Sequence, residues 1–159
     1  MRLAHVPLIL LPLLAACAPA LDWRELREPD TQLSAQFPCK PQRVAEAQMG
    51  LLQCEAGGQR FVLGWRRFAD PAALQAELAA QAPKLAERLG ARAEPLDGAL
   101  PSAALAWPGS GRYRLQGGQQ AVWAQVWAQG LTLHQAVVSG AGQDTVARQF
   151  FDGLRSSAP

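Results

Sequence analysis

The chain has 159 residues, with fifteen Lys plus Arg against thirteen Asp plus Glu and a formal net charge of +2. That near balance lacks the clustered cations with which proteins displace counterions from nucleic acid, so no nucleic-acid partner is expected. Removing residues 1–16, for the reason given next, leaves 143 residues. A chain of that size makes one domain with a single core and buries about 68–70% of its unfolded surface.

The first stretch reads MRLAHVPLILLPLLAACAPA, in which Arg2 precedes an apolar run from Val6 to Ala16 broken only by prolines. At about eleven residues this run falls short of the roughly twenty that a helix needs to cross a bilayer. Its basic start and small-residue end are those of a cleaved export signal, which makes residues 1–16 no part of the fold and removes His5 with them. Leu14-Ala15-Ala16-Cys17 resembles the lipobox of bacterial lipoproteins. The resemblance implies a thioether-linked diacylglyceryl group on Cys17, cleavage that leaves Cys17 first, and acylation of the new amino group. One acyl chain holds only marginally at about 0.8 kcal/mol per buried methylene, whereas two or three make release negligible. Ala18 stands where an inner-membrane retention signal resembles Asp, so the resemblance favours the periplasmic face of the outer membrane.

With Cys17 assigned to lipid, Cys39 and Cys54 remain as an even pair in an oxidising compartment, where disulfides persist. The intervening segment holds Val44 to Leu52 with Gly50 near its middle, so the chain can run out and return. A catalytic redox pair is more often the short Cys-x-x-Cys with a depressed thiol pKa, and a zinc site needs two more ligands. A staple is therefore expected, worth about 3 kcal/mol for a loop of about fifteen residues.

Residues 17–32 read as the lipidated terminus and a short tether, in which Asp22 can cap a helical turn through Arg27 before Pro29. The domain proper is expected at 33–156. Leu33, Ala35 and Phe37 alternate with polar residues as a half-buried strand does, and Pro38 stops the ladder. One or two strands cover Val44 to Cys54. After the turn at Gly57-Gly58 a strand from Arg60 to Arg66 follows, and its continuous apolar middle predicts burial on both faces. Asp70-Pro71 then opens a helix as N-cap and first helical residue, with Leu74, Leu78, Ala82, Leu85 and Leu89 on one stripe and Gly90 at its close. Pro83 predicts a kink or two short helices. Residues 91–111 read as loops around a short strand at Ala103 to Trp107. Strands follow at Arg112 to Gln116, Gln119 to Gln129 and Leu131 to Ser139, turned at Gly117-Gly118 and Gly130. Asp144 caps a last helix through Leu154, with Val146, Phe150 and Leu154 inward.

This order predicts an α+β domain, an antiparallel β-sheet with helices packed against it. LSAQFP at 33–38 with Lys40-Pro41, QRFVL at 59–63, GLTLHQAVVSG at 130–140 and ARQFFDGL at 147–154 are similar to segments of the PsbP-like and DcrB-like exported domains. The resemblance spans about residues 30–156 and implies an α/β/α sandwich. Members include photosystem accessory proteins and lipoproteins, and they carry no shared catalytic residues.

Little in the mature sequence suggests chemistry. His134 is its one histidine and has no nucleophile or carboxylate near it in sequence, so a packed or surface role is expected rather than an acid/base one. Glu25 with Glu28 and Glu87 with Glu94 read as solvated pairs, and Arg66-Arg67 as a strand end meeting solvent. No catalytic residue, metal or cofactor is expected. Trp123 and Trp127 share one face of a strand about 13 Å apart, and Trp65 or Trp107 could join them as a platform for sugar rings. The alternative is that the leucine-striped helix covers them as core. The expected function is a non-enzymatic accessory or assembly factor, lipid-anchored through Cys17 and acting on an envelope protein. A glycan or small-ligand module built on Trp123 and Trp127 is the alternative.

Overall fold

The computed structural model describes residues 21–156, so the signal segment and Cys17 lie outside the described residues. The elements are β1 (Arg24–Glu28), β2 (Leu33–Phe37), β3 (Gln42–Ala45), β4 (Met49–Ala56), β5 (Gln59–Arg67), α1 (Pro71–Arg88), β6 (Arg92–Leu96), β7 (Gly111–Gln116), β8 (Val122–Gln129), β9 (Thr132–Gly140), α2 (Asp144–Asp152) and β10 (Arg155–Ser156). Seven strands form one antiparallel sheet in the order β3-β4-β5-β9-β8-β7-β6, and β1-β2-β10 form a second. The α+β expectation holds in this broad form, with more sheet than helix.

Strand alternation sorts the large sheet into two faces. On the first, Phe61, Leu63 and Trp65 of β5, Trp123 and Trp127 of β8, and Ala136 and Val138 of β9 meet Leu33, Ala35 and Phe37 of β2 and Phe150 and Phe151 of α2. Phe150 is the hub. Its ring sits edge-on to Phe37 at 5.0 Å and to Phe61 at 5.4 Å, and each such contact is worth about 0.5–1.5 kcal/mol beyond burial. On the second face, Leu74 and Leu78 of α1 pack on Val126, Ala128 and Leu133, and Ala86 packs on Leu115 and Val122. The helices therefore lie on opposite faces of the large sheet.

Several local expectations are corrected. Residues 24–28 form β1, paired with β2 from Arg24↔Phe37 to Glu28↔Leu33, rather than a helical turn. A lone turn spends backbone entropy on very few bonds, while the free edge of β2 offers a whole ladder. The packed layers consequently begin upstream of residue 33. In the β3–β4 hairpin, Glu46 N–H donates to Met49 O, so the turn is Ala47-Gln48 and Gly50 lies inside β4. Gly50 sits beneath the Trp65 indole, where a Cβ would collide with the ring. Burial along β5 alternates, with Val62 and Gly64 only half-buried, so that strand is not covered on both faces. Residues 103–107 form no strand: Leu105 N–H makes one bond to Ala128 O, past the end of β7. Residues 92–96 form edge strand β6 instead. Helix α2 starts after Gln143, with Asp144 in its first turn rather than at the cap.

Helix α1 is a single helix through Pro83. Asp70 caps it as expected, its Oδ2 accepting from Ala73 N–H at 2.7 Å, and Leu74, Leu78, Ala82 and Ala86 are buried on both sides of the proline. That burial holds the register across the lost backbone bond. The 107–110 turn lies directly against the helix: a Cβ at Gly109, where φ is +91°, would stand 2.5 Å from Leu78 O and 2.6 Å from Ala79 Cα. Because Pro83 is exposed, Pro83→Ala restores a helical bond without disturbing the core. The gain of about 3 kcal/mol from removing an interior proline exceeds the 0.4–1 kcal/mol of unfolded-state entropy it returns, so the variant is expected to be more stable by about 2 kcal/mol. Chemical denaturation of the two proteins checks this.

Candidate functional site

The tryptophans do not form a platform. Trp123 is 3% exposed and Trp127 0%, and the cover over them is α2 with β2, not the leucine stripe of α1. Trp65 is buried on the same face, whereas Trp107 packs on the opposite one beside α1. Solvated sugar rings cannot reach Trp123 or Trp127 as folded.

His134 stands opposite Trp127 across β8 and β9 and stacks on its indole at 4.9 Å and 16°. The imidazole is fully buried, and neither of its nitrogens nor Trp127 Nε1 has a hydrogen-bond partner among the described residues. Desolvation without a compensating partner disfavours the charged form, and burial lowers the His134 pKa from 6.5 to about 3. The ring is neutral at physiological pH, sealed from substrate, and faces no nucleophile.

Two ion pairs, each with one buried and one exposed partner, join the layers. Arg112 donates to Gln125 Oε1 at 2.6 Å, Ala99 O at 2.8 Å and Asp152 Oδ1 at 2.7 Å, with its guanidinium 5.6 Å from the centre of the Phe151 ring. It ties β7 to α2 and to the 97–110 connection. Glu28, expected to be solvated, is 3% exposed and receives two bonds of 3.0 Å from Arg43 of β3. Arg66 lies over the Phe68 ring at 4.9 Å, and Arg67 donates to Asp30 O. Cys39 and Cys54 sit at disulfide distance, S–S 2.00 Å and Cα–Cα 6.0 Å, which pins the β2–β3 connection to β4 as the staple reading expected. No group of three or more metal-ligating side chains occurs among the described residues.

The accessible candidate site is a groove of about 350 Å³ on the second face. Leu51, Val62, Gly64 and Val137 form its floor, Gln81 of α1 one wall, and Val44, Glu46 and Met49 of the β3–β4 hairpin the other rim. Its origin is geometric. A helix about 10 Å wide spans only two or three strands at about 4.8 Å spacing, and α1 sits over β6, β8 and β9. The β3–β4–β5 end is left open, with Val44 56% and Met49 47% exposed. The lining suits an apolar side chain or ligand, and its charged members are Glu46 and Arg66. Sequence reasoning missed the groove because β5 read as doubly buried. The signal that could have found it is one long helix set against so many strands. No protein-family model matches the chain, and no curated protein matches it.

The Trp127–His134 stack has a measurable consequence. A histidine whose folded pKa is depressed contributes stability that is present above its unfolded pKa, near 6.5, and lost as pH falls toward about 3. At 1.36 kcal/mol per unit the loss is on the order of 4 kcal/mol. His134→Phe keeps the stacked ring and removes the titration, so its stability is expected to fall less than that of the native protein between pH 6.5 and 3. Urea denaturation at several pH values reads the difference.

Proposed function

We propose that this chain is an exported lipoprotein, held through acyl chains on Cys17 to the periplasmic face of the outer membrane, where it serves as a non-enzymatic accessory or assembly factor of the cell envelope. The observation that carries the reading is Leu14-Ala15-Ala16-Cys17 at the end of a short apolar run. The Cys39–Cys54 bond suits an oxidising space. No helix among the described residues is long and apolar enough to cross a membrane, and the acyl chains supply the attachment instead. Asp22 N–H donates to Pro38 O, and five residues from Cys17 to Asp22 can span at most about 18 Å. The domain stays close to its bilayer.

An accessory role draws support from what the surface offers. The one histidine of the mature chain is sealed against Trp127 and unavailable for proton transfer. The open apolar groove suits a side chain of an envelope protein partner. The groove also favours a second reading, a binding module for a small apolar ligand at Leu51, Val62 and Val137 in place of glycan at Trp123 and Trp127.

Mass spectrometry of the chain recovered from membranes tests the main reading. The expected product begins at Cys17 and carries a diacylglyceryl thioether with an acylated amino group. Cys17→Ser is expected to leave the detergent-extracted fraction and lose that mass increment. An unmodified Cys17 thiol on an exported chain would contradict the proposal.

A further inference from the structure

Strand β3 ends the large sheet, and among the described residues its outer side has no strand partner. The Glu46 N–H bond to Met49 O sets the alternation along the β3–β4 hairpin. In the register Val44↔Leu51 and Gln42↔Gln53, Val44 and Gln42 bond inward to β4. Arg43 and Ala45 therefore turn their N–H and C=O groups outward. Pro41, which has no N–H to donate, precedes them on the same outward side, where an edge tolerates it. The free window is thus two residues long, and it lies beside an exposed valine.

The geometry points to a second copy of this chain as the occupant, through antiparallel pairing of β3 with β3 about a two-fold axis at Val44. Placing Arg43 opposite Ala45 of the second copy makes four backbone hydrogen bonds and uses every outward N–H and C=O of Arg43 and Ala45 in both copies. Shifting the pairing to set Arg43 against its own copy brings Pro41 into the ladder and leaves Ala45 C=O unmatched. In the favoured register the two Val44 side chains meet at a non-hydrogen-bonded pair, the closer of the two pair types. Val44, 56% exposed in the single chain, gains an apolar partner. Gln42 faces Glu46 of the second copy, and Lys40 is diagonal to that same carboxylate. Lys40 and Glu46 make no ion pair among the described residues, so the Lys40 of each copy is free to meet the Glu46 of the other. The Arg43 side chain is already committed to the other face, held by Glu28 at 3.0 Å and lying 5.7 Å from the Trp65 ring centre. It does not oppose its counterpart. The result is a closed, isologous pair in which two large sheets join edge to edge and two grooves lie side by side.

This inference stands on the edge itself and does not require the Cys17 anchor. Disulfide trapping in the full chain, in cells under mild thiol oxidation, tests it. At a non-hydrogen-bonded pair the Cα atoms are about 4.5 Å apart, within the span of a disulfide. Val44→Cys is therefore expected to give a covalent dimer as the main product. Gln42→Cys lies about 13 Å from its own counterpart in this register, and about tenfold less dimer is expected from it. Adding Ala45→Pro to Val44→Cys removes an outward donor that the folded chain does not use, and it is expected to abolish the trapped dimer while circular dichroism stays unchanged. Equal trapping at 42 and 44, no dimer at 44, dimer that survives Ala45→Pro, or a different polypeptide trapped by the Val44→Cys thiol would each overturn the proposal. The first comparison needs only two exposed substitutions and so decides even where the proline variant fails to fold.

Discussion

One dimensional mismatch organises this protein: a seven-stranded sheet is about 30 Å across at 4.8 Å per strand, and a single helix covers about a third of that width. Each face therefore needs more than one element over it. The first face gets a helix, a three-stranded sheet and the 97–110 connection. The second gets α1 with Leu105 and Trp107 of that connection beside it, and nothing over its β3–β4–β5 end among the described residues. Burial follows this unequal cover, with Trp123, Trp127 and His134 sealed on one side and Leu51, Val62 and Val137 bordering a groove on the other.

The ionic contacts make sense within the same scheme. Layers assembled from short, differently oriented pieces leave polar groups at their seams, and a buried charge is tolerated only when it is paired and hydrogen-bonded. Arg112 closes the seam between β7, α2 and the 97–110 connection, and Glu28 with Arg43 closes the seam between the small sheet and the outermost strand. The disulfide pins the same corner covalently, since Cys39 follows β2 and Cys54 lies in β4. The exposed end of the large sheet is thus braced from behind.

Much of the architecture was legible because its signals are local. Period-two alternation marked β2 and β8, the Gly130 turn marked the start of β9, the Asp70-Pro71 cap and leucine spacing marked α1, and the cysteine parity marked the staple. What escaped depends on distant cover. Trp123 and Trp127 alternate correctly along their strand, yet nothing local says that Phe150 rather than Leu78 lies over them. Residues 24–28 read as tether because their ladder partner is another short strand, and Glu28 read as solvated because Arg43 arrives from a different layer. Pro83 was read by its general cost, while the buried residues on both sides of it keep the helix intact. The groove was the least legible feature, being defined by an element that is absent from above it.

The unequal cover of the large sheet is the central claim, and thiol labelling of folded protein tests it most directly. Val62 and Val126 both point to the second face, one in the groove and one beneath Leu74 and Leu78. A cysteine placed at 62 is expected to react readily with a maleimide under native conditions, and one placed at 126 only upon unfolding. Equal protection at both positions, or faster reaction at 126, would contradict the account.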